Sequence, residues 1–542
     1  MDITKKIYNL SSAAISPKKI KKSALILTIV IIFGAFLRFY DFGDLARFNA
    51  DQVRDAQIID EIRDTGDFPL LGPKAGGTGF KLGPMFYYLE YLSGSIFGFS
   101  PQGIALFIPI LSTISIGLFY LVFRNIFSIN LALLLTFLYS ISFYFVKYSR
   151  FAWNPNVIPF FILSFILLLF YIDNRRQNNF IYYILLGFVM GIGIQLHTTL
   201  LILMPVTLLF FMIFYFIKNK NLPLKKMILS IAIVGIFNIP FLYSDYLNKG
   251  KNIEQFFAGT QVKTGSSSLI ENIANTGQFF AQGSAYSILG TEPKRNWTNV
   301  RKFINSRDMS EYALCLSSLL VLIIGIFLFI RKIQNNKSER ASRYIILMII
   351  SASSLLIFLP MGNELNLRFF ITILFLPYLL LGIILEYALE RFNFKITKIF
   401  IVLLIVMISI TNLDMFYKAY NLNDYRLRES VYGGISLGEL ESICLEMGSA
   451  ARKKDSDQNI IYAGSIKSKR SVEYICQKKG IEIRSFDAKS TPFNSLVFIL
   501  VDIKNEDKNK SLNKDNFSFI ESKKIGRYSL MIFIYNKKTE TI

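Results

Sequence analysis

The chain has 542 residues, 52% of them hydrophobic and 15% aromatic, with 51 phenylalanines and a formal net charge of +22. Three cysteines and one histidine exclude a disulfide-stapled fold and a metal centre built from Cys or His clusters. Apolar runs of roughly 18–22 residues recur through most of the chain, the length that crosses a bilayer as helix. The basic excess therefore reads as loop charge facing anionic lipid and calls for no nucleic acid.

In chain order, the amino-terminal lysines (Lys5, Lys6, Lys18, Lys19, Lys21, Lys22) precede an apolar run from Ser23 to Phe39. No small-residue cleavage site follows it, so it is expected to be an uncleaved first span. The acidic stretch "NADQVRDAQIIDEIRD" (Asn49–Asp64) comes next. Wound as a helix at about 100° per residue, it places Asp60, Glu61, Arg63 and Asp64 on a solvated side. Asp51 and Asp55 share the stripe that carries Ile58, Ile59 and Ile62. Asp51 suits either of two roles there, an N-cap or one of two carboxylates turned into a site.

Candidate crossing helices fall at 23–40, 84–98, 102–123, 128–146, 155–173, 180–197, 199–217, 226–243, 311–330, 343–360, 367–388 and 396–413. With all of them crossing, the basic loops "DNRRQNN" (173–179) and "KNKNLPLKK" (218–226) land outside, against the positive-inside rule. The segment 84–98 is short, begins at Pro84 and ends at "GFSP", so it is expected to dip into the membrane or lie along it. The remaining eleven spans send the Lys/Arg-rich loops 173–179, 218–226, 331–343 and 390–398 to the cytoplasm. The outer face then receives a first loop 41–101, segment 147–154, the His197 junction, a large loop 244–310 with many Gly, Ser and Thr, and 361–366. Everything after residue 413 lies there too.

That partition gathers the chemically interesting segments on one face. "GPKAGGTGFKLGP" (72–84) is a Gly-rich stretch with Lys74 and Lys81, able to approach a phosphate closely or simply to flex. "KYSRFAWNPN" (147–156) sets Arg150, Trp153 and Asn154 at a helix boundary, as a site or as an interfacial belt. "GIQLHTT" (193–199) holds His197, and "PMGNELNLRFF" (360–370) adds Glu364 and Arg368. Carboxylates on one loop and cations on several, at a membrane edge, suit transfer of a sugar from a lipid phosphate. One carboxylate removes the acceptor's proton, cations stabilise the departing phosphate, and an apolar groove holds the lipid. A transporter or lipid flippase is the rival reading, but transporters commonly show paired internal repeats and none is visible here. A non-catalytic scaffold leaves the placement of the acids unexplained.

The order of first span, "NADQVRD", "GFKLGPMFYYLEYLSGSIFG", "YSRFAWNPNVIPF", "GIGIQLHTT" and "LRFFI" resembles glycosyltransferase family 39, over roughly residues 23–390. That group holds the protein O-mannosyltransferases and the lipid A aminoarabinose transferase. The resemblance implies a GT-C fold, a polyprenyl-phosphate sugar donor, and an acceptor hydroxyl on protein, lipid or glycan. The family's catalytic Asp maps onto Asp51. Lys81-Leu82-Gly83 stands where the family's "HPPLYYW"-like segment has His-Pro, and Asn154 where several relatives carry Asp. The reading is thus an inverting GT-C enzyme with Asp51 as base and Asp55 orienting the acceptor or helping to hold a divalent cation. Arg54, Lys81, Arg150 and Arg368 would contact the donor phosphate, with Tyr87, Trp153, Asn154, His197 and Glu364 as further substrate contacts.

After residue 413 the long apolar runs stop. "LGELESICLEMGSAARK" and "SVEYICQKKG" read as helices; "NIIYAG", "IEIRSF", "SLVFILVD" and "YSLMIFIY" read as strands, with "NEDKNKSLNKDN" (505–516) as a polar loop. A small α/β domain at 414–542 is expected outside the membrane. Cys444 and Cys476 either pair in an oxidising compartment or lie separately in the core.

Overall fold

A computed structural model of the protein describes residues 17–174, 179–264, 268–291, 300–305, 308–335, 339–392, 394–421, 435–453, 460–464, 466–487, 490–503 and 516–536. Lys5, Lys6, most of the polar loop 505–516, and parts of the basic loops at 175–178 and 336–338 lie outside them. Among the described residues, eight helices are long and apolar enough to cross a bilayer, from Ile20–Phe39 to Lys395–Tyr420. A ninth forms if Leu367–Ile373 and Phe375–Arg391, bent by 62°, make one crossing. Two shorter apolar helices, Ile129–Ile141 and Phe180–Gly193, fall where two more crossings were expected. The count of eleven is reached only if these cross as well.

The expected span 128–146 is broken at Ser142. Its ψ of 117° ends Ile129–Ile141, and a second helix, Phe143–Tyr148, starts beyond it. The interruption is satisfied by tertiary partners: the Asn412 side chain accepts the Phe143 N–H at 2.8 Å, and the Ser142 hydroxyl donates to the Ser287 carbonyl at 2.6 Å. A backbone break inside protein is stable only when its polar groups find such partners.

The large loop expected at 244–310 is instead largely helical, with Lys251–Thr264, Leu269–Leu289 and Val300–Asn305. Leu269–Leu289 starts at a Ser268 side chain that accepts the Glu271 N–H, and ends at Gly290 in the left-handed region, φ 71°. It buries Phe279, Ala281 and Tyr286 in the same apolar core as the membrane helices, so it is part of that core and no lid. Its small residues serve close packing: a side chain at Gly283 would collide with the Phe370 ring. The Ser and Gly content read as looseness is contact.

Among its described residues, the carboxy-terminal part has two helices, Leu437–Lys453 and Ile466–Lys478, and a mixed five-stranded sheet. Its strands are β1 (Ile460–Tyr462), β2 (Arg484–Ser485), β3 (Leu496–Asp502), β4 (Phe517–Ile525) and β5 (Tyr528–Tyr535), in the order β2-β1-β3-β5-β4. The strand β4 was not anticipated, and "IEIRSF" contributes only two residues. β1 runs parallel to β2 and β3, whereas β5 is antiparallel to β3 and β4. Cys444 and Cys476 are joined in a disulfide that ties the two helices together.

This unit is docked onto the first loop of the membrane part. Leu437 and Gly438 donate backbone N–H groups to Ala46 and Asp44 carbonyls, each at 3.0 Å. Asp60 accepts the Tyr474 hydroxyl at 2.8 Å and pairs with Lys478 at 2.6 Å. The side expected to face solvent is therefore partly an interface, and Asp60 is one of its contacts.

Candidate active site

The acidic helix Ala50–Thr65 begins at Asn49, whose side chain and that of Gln52 form a reciprocal capping box. Asp51 is not the cap. Val53, Ala56, Ile59 and Ile62 recur at helical spacing and bury one face, and Gly66 at φ 78° ends the helix in the left-handed region. Asp55 lies on the buried face as expected, 1% exposed, but Asp51 stands off it with 47% of its side chain exposed. Between them is Arg54, 3.1 Å from Asp51 and 2.7 Å from Asp55. Burial pushes the Asp55 carboxyl up, to about 7, against the pull of the Arg54 guanidinium; the Asp51 charge adds to the rise. Tyr87 and Glu90, from the short helix Met85–Phe97, close the pair from the other side.

The helix is held to a second segment. Gln52 donates its side-chain N–H to the Ala152 carbonyl, and the next residue, Trp153, lies under the Arg368 guanidinium, 5.6 Å from ring centroid to Cζ. Asn154 donates to the Leu196 carbonyl at 2.5 Å and so fixes the turn that presents His197. His197 Nδ1 accepts the Thr199 N–H at 3.1 Å, which leaves Nε2 to carry the proton of a neutral ring. Its ring meets Phe369 at 5.5 Å, and Arg368 and Lys263 are its electrostatic neighbours. The Gly-rich stretch is a hairpin: Lys74 and Lys81 face each other across an antiparallel bridge, Ala75 N–H donates to Phe80 O at 2.8 Å, and Gly77 turns at φ 76°. Its tip reaches the cation group, because a side chain at Gly76 would stand 3.6 Å from Arg368. Beside it opens a shallow cleft lined by Thr78, Thr198, Thr199 and Lys263 together with the apolar Ile202, Phe256, Ile357 and Met361.

Residues 81–243 match the family profile described as dolichyl-phosphate-mannose-protein mannosyltransferase. The fold is similar to that of ArnT from Cupriavidus metallidurans bound to undecaprenyl phosphate. The TM-score is 0.54 and the identity 10%, over 96% of this chain and 98% of that one. It is also similar to the archaeal oligosaccharyltransferase AglB from Archaeoglobus fulgidus in complex with an inhibitory peptide and a dolichol-phosphate. There the TM-score is 0.53 and the identity 13%, over 97% of this chain and 75% of that one. The chain has the GT-C fold of these membrane glycosyltransferases. Comparison with curated protein sequences gives no match.

Within this GT-C membrane protein, Asp51, Arg54, Asp55 and Tyr87 form one cluster, and Trp153, His197 and Arg368 another. Glu364 is exposed and is an electrostatic neighbour of Lys263. Lys81 is exposed at the base of the hairpin, its backbone held by Asn252 on both sides. Arg150 is not available to a donor phosphate. It is buried, donates to the carbonyls of Leu37, Arg38 and Tyr40, and stacks over Tyr420 at 4.3 Å, where it fastens the end of the first helix. Asp55 is too deeply buried to orient an acceptor. Nor does the acid pair form a metal cradle: the guanidinium of Arg54 stands between the carboxylates, and among the described residues no group of three or more His, Cys, Asp or Glu is placed to hold a metal.

Three contributors escaped the sequence reading. Lys263 sits in the stretch taken for a loop and has no local signature. Gln52 was legible, as the third residue after Asn49 in an Asn-x-x-Gln box. Glu90 was legible too, as a lone acid within the apolar "MFYYLEYL".

Proposed function

We propose that the protein transfers a hexosyl or pentosyl unit from a polyprenyl-phosphate carrier to an acceptor hydroxyl, with inversion, on the extracytoplasmic face. One observation carries this reading: the acid helix is pinned through Gln52 to Ala152, and Trp153 beside it underlies Arg368. A carboxylate within reach of solvent and a cation group are thereby held on two sides of a single segment. The phosphate-bound lipids of ArnT and AglB point to the same class of donor.

Asp51 is the base because it is the acid of the pair left exposed, with Arg54 holding its orientation. The acceptor O–H gives its proton to Asp51 as its oxygen bonds to the anomeric carbon. The bond from that carbon to the phosphate oxygen breaks, and its electron pair leaves with the phosphate. Arg368, Lys263 and the Nε2–H of His197 stabilise the charge that accumulates there. Thr198 and Thr199 line the same cleft as Lys263, and its apolar residues suit a prenyl chain.

The test is transfer of labelled sugar from a synthetic polyprenyl-phosphate sugar by the purified protein in liposomes. Product with inverted anomeric configuration is expected; retained configuration would end the single-displacement scheme. A reporter fused after Ile542 that is active only in the cytoplasm would place the site on the opposite face.

A further inference from the structure

Glu90 occupies the middle of the helix Met85–Phe97 with zero exposure, and neither of its carboxylate oxygens has a hydrogen-bond partner. Asp55 is its electrostatic neighbour: Asp55 Oδ1 is held by Arg54, and the buried Oδ2 makes no formed hydrogen bond although the Tyr87 hydroxyl stands near the carboxyl. An ionised carboxylate cannot persist in such a place without compensation, whereas a carboxylic acid has one O–H to give. The two unsatisfied groups are complementary: one needs an acceptor and the other is one.

We propose that Glu90 is a positioning residue, held as a carboxylic acid whose proton serves the free Oδ2 of Asp55 directly or through one water. It thereby keeps Asp55 anionic and Arg54 shared between Asp55 and Asp51. The charged and titratable groups facing the pair are Arg54 and Asp51 on the acidic helix and Tyr87 on the helix of Glu90 itself. Burial raises the Glu90 carboxyl well above the usual carboxylate range; the Asp55 charge adds to this and Arg54 opposes it. Without the Glu90 proton, Asp55 takes one from water, Arg54 turns wholly to Asp51, and Asp51 becomes a weaker base.

The kinetic part rests on Asp51 being the base; the spectroscopic part does not. In infrared spectra of the full-length protein in detergent at about pH 9, about two units above the point at which Asp55 loses its proton, a protonated-carboxyl stretching band is expected and should vanish in Glu90→Gln. Its absence from the unsubstituted protein, or its persistence in Glu90→Gln, overturns the proposal. Glu90→Leu should lower kcat about fivefold at pH 7, with the donor KM little changed, as the acidic limb of the rate profile moves up by about one unit. Glu90→Gln keeps an N–H for Asp55 and should stay within about threefold of the parent. Equal loss in both variants, or an unmoved acidic limb in Glu90→Leu, reduces Glu90 to packing. Should Glu90→Leu fail to fold, Glu90→Gln and the infrared band still decide. If Asp51→Asn is fully active while the band still maps to Glu90, the catalytic reading falls and the buried proton stands.

Discussion

Gln52 donates its side-chain N–H to the backbone carbonyl of Ala152 at 2.5 Å, across 100 residues of sequence. Its carbonyl oxygen meanwhile accepts the Asn49 N–H at 3.2 Å, so one amide both caps the acidic helix and anchors it to the segment carrying Trp153. Gln52→Leu removes both bonds and leaves a buried carbonyl without its donor. Destabilisation of about 1–3 kcal/mol is expected. kcat should fall while the donor KM holds, because the base moves relative to the cation group. A thermal shift together with full kinetics checks this.

Asp51→Asn should lower transfer by roughly 10²–10⁴-fold, the usual contribution of a general base. Folding should be unaffected, because Asn49 is the cap. Asn49→Ala is the converse case, costing about 1 kcal/mol of stability with the chemistry intact. An active Asp51→Asn enzyme in the liposome assay would remove the proposed base.

Arg368→Met and Lys263→Met should weaken donor binding by roughly 1.5–3 kcal/mol each, as expected for charge-assisted contacts, with normal membrane insertion. Arg150→Met should behave differently. It strips the Leu37, Arg38 and Tyr40 carbonyls of a buried donor, so expression and melting temperature should fall. Donor titration followed by tryptophan fluorescence separates the two patterns, since Trp153 lies beside Arg368.

Asp60→Asn and reduction of Cys444–Cys476 should both loosen the carboxy-terminal unit. The Lys478–Asp60 pair is part-exposed, so its loss should cost about 1 kcal/mol or less. The disulfide closes a loop of 32 residues, and opening it should cost roughly 2–4 kcal/mol. Hydrogen exchange over 466–478 is the readout, and unchanged protection after both treatments would refute the docking role.

Activity should decline as pH falls through about 7, where Asp55 gains a proton and releases Arg54 to Asp51. The folding linkage has its own sign. A carboxyl raised in the folded state keeps a proton that the unfolded chain releases at about 4. Its contribution to stability therefore diminishes as pH rises from about 4 to about 7. Rate and melting profiles should slope in opposite directions across that window, and parallel slopes would contradict the assignment.

Apolar run length determined the membrane class by itself, since a bilayer imposes a length on any helix that crosses it. Helical periodicity likewise placed Asp55 on the buried stripe, because the spacing of Ile59 and Ile62 defines that face whatever packs against it. The carboxy-terminal helices and four of its strands, β2 only in part, were legible for the same local reason. What packs across the sequence was not. Whether Arg150 meets a phosphate or the carbonyls of Leu37 and Tyr40 depends on a partner about 110 residues away. Leu269–Leu289 looked like a loop because its Gly and Ser gain their meaning only against Phe370. Asp60 looked solvated because Tyr474 and Lys478 lie more than 400 residues on. Arg54 between two acids, Lys263 beside His197, and Glu90 against Asp55 are likewise products of tertiary packing: the sequence supplies charges, and burial decides which of them share a proton, a guanidinium or a substrate.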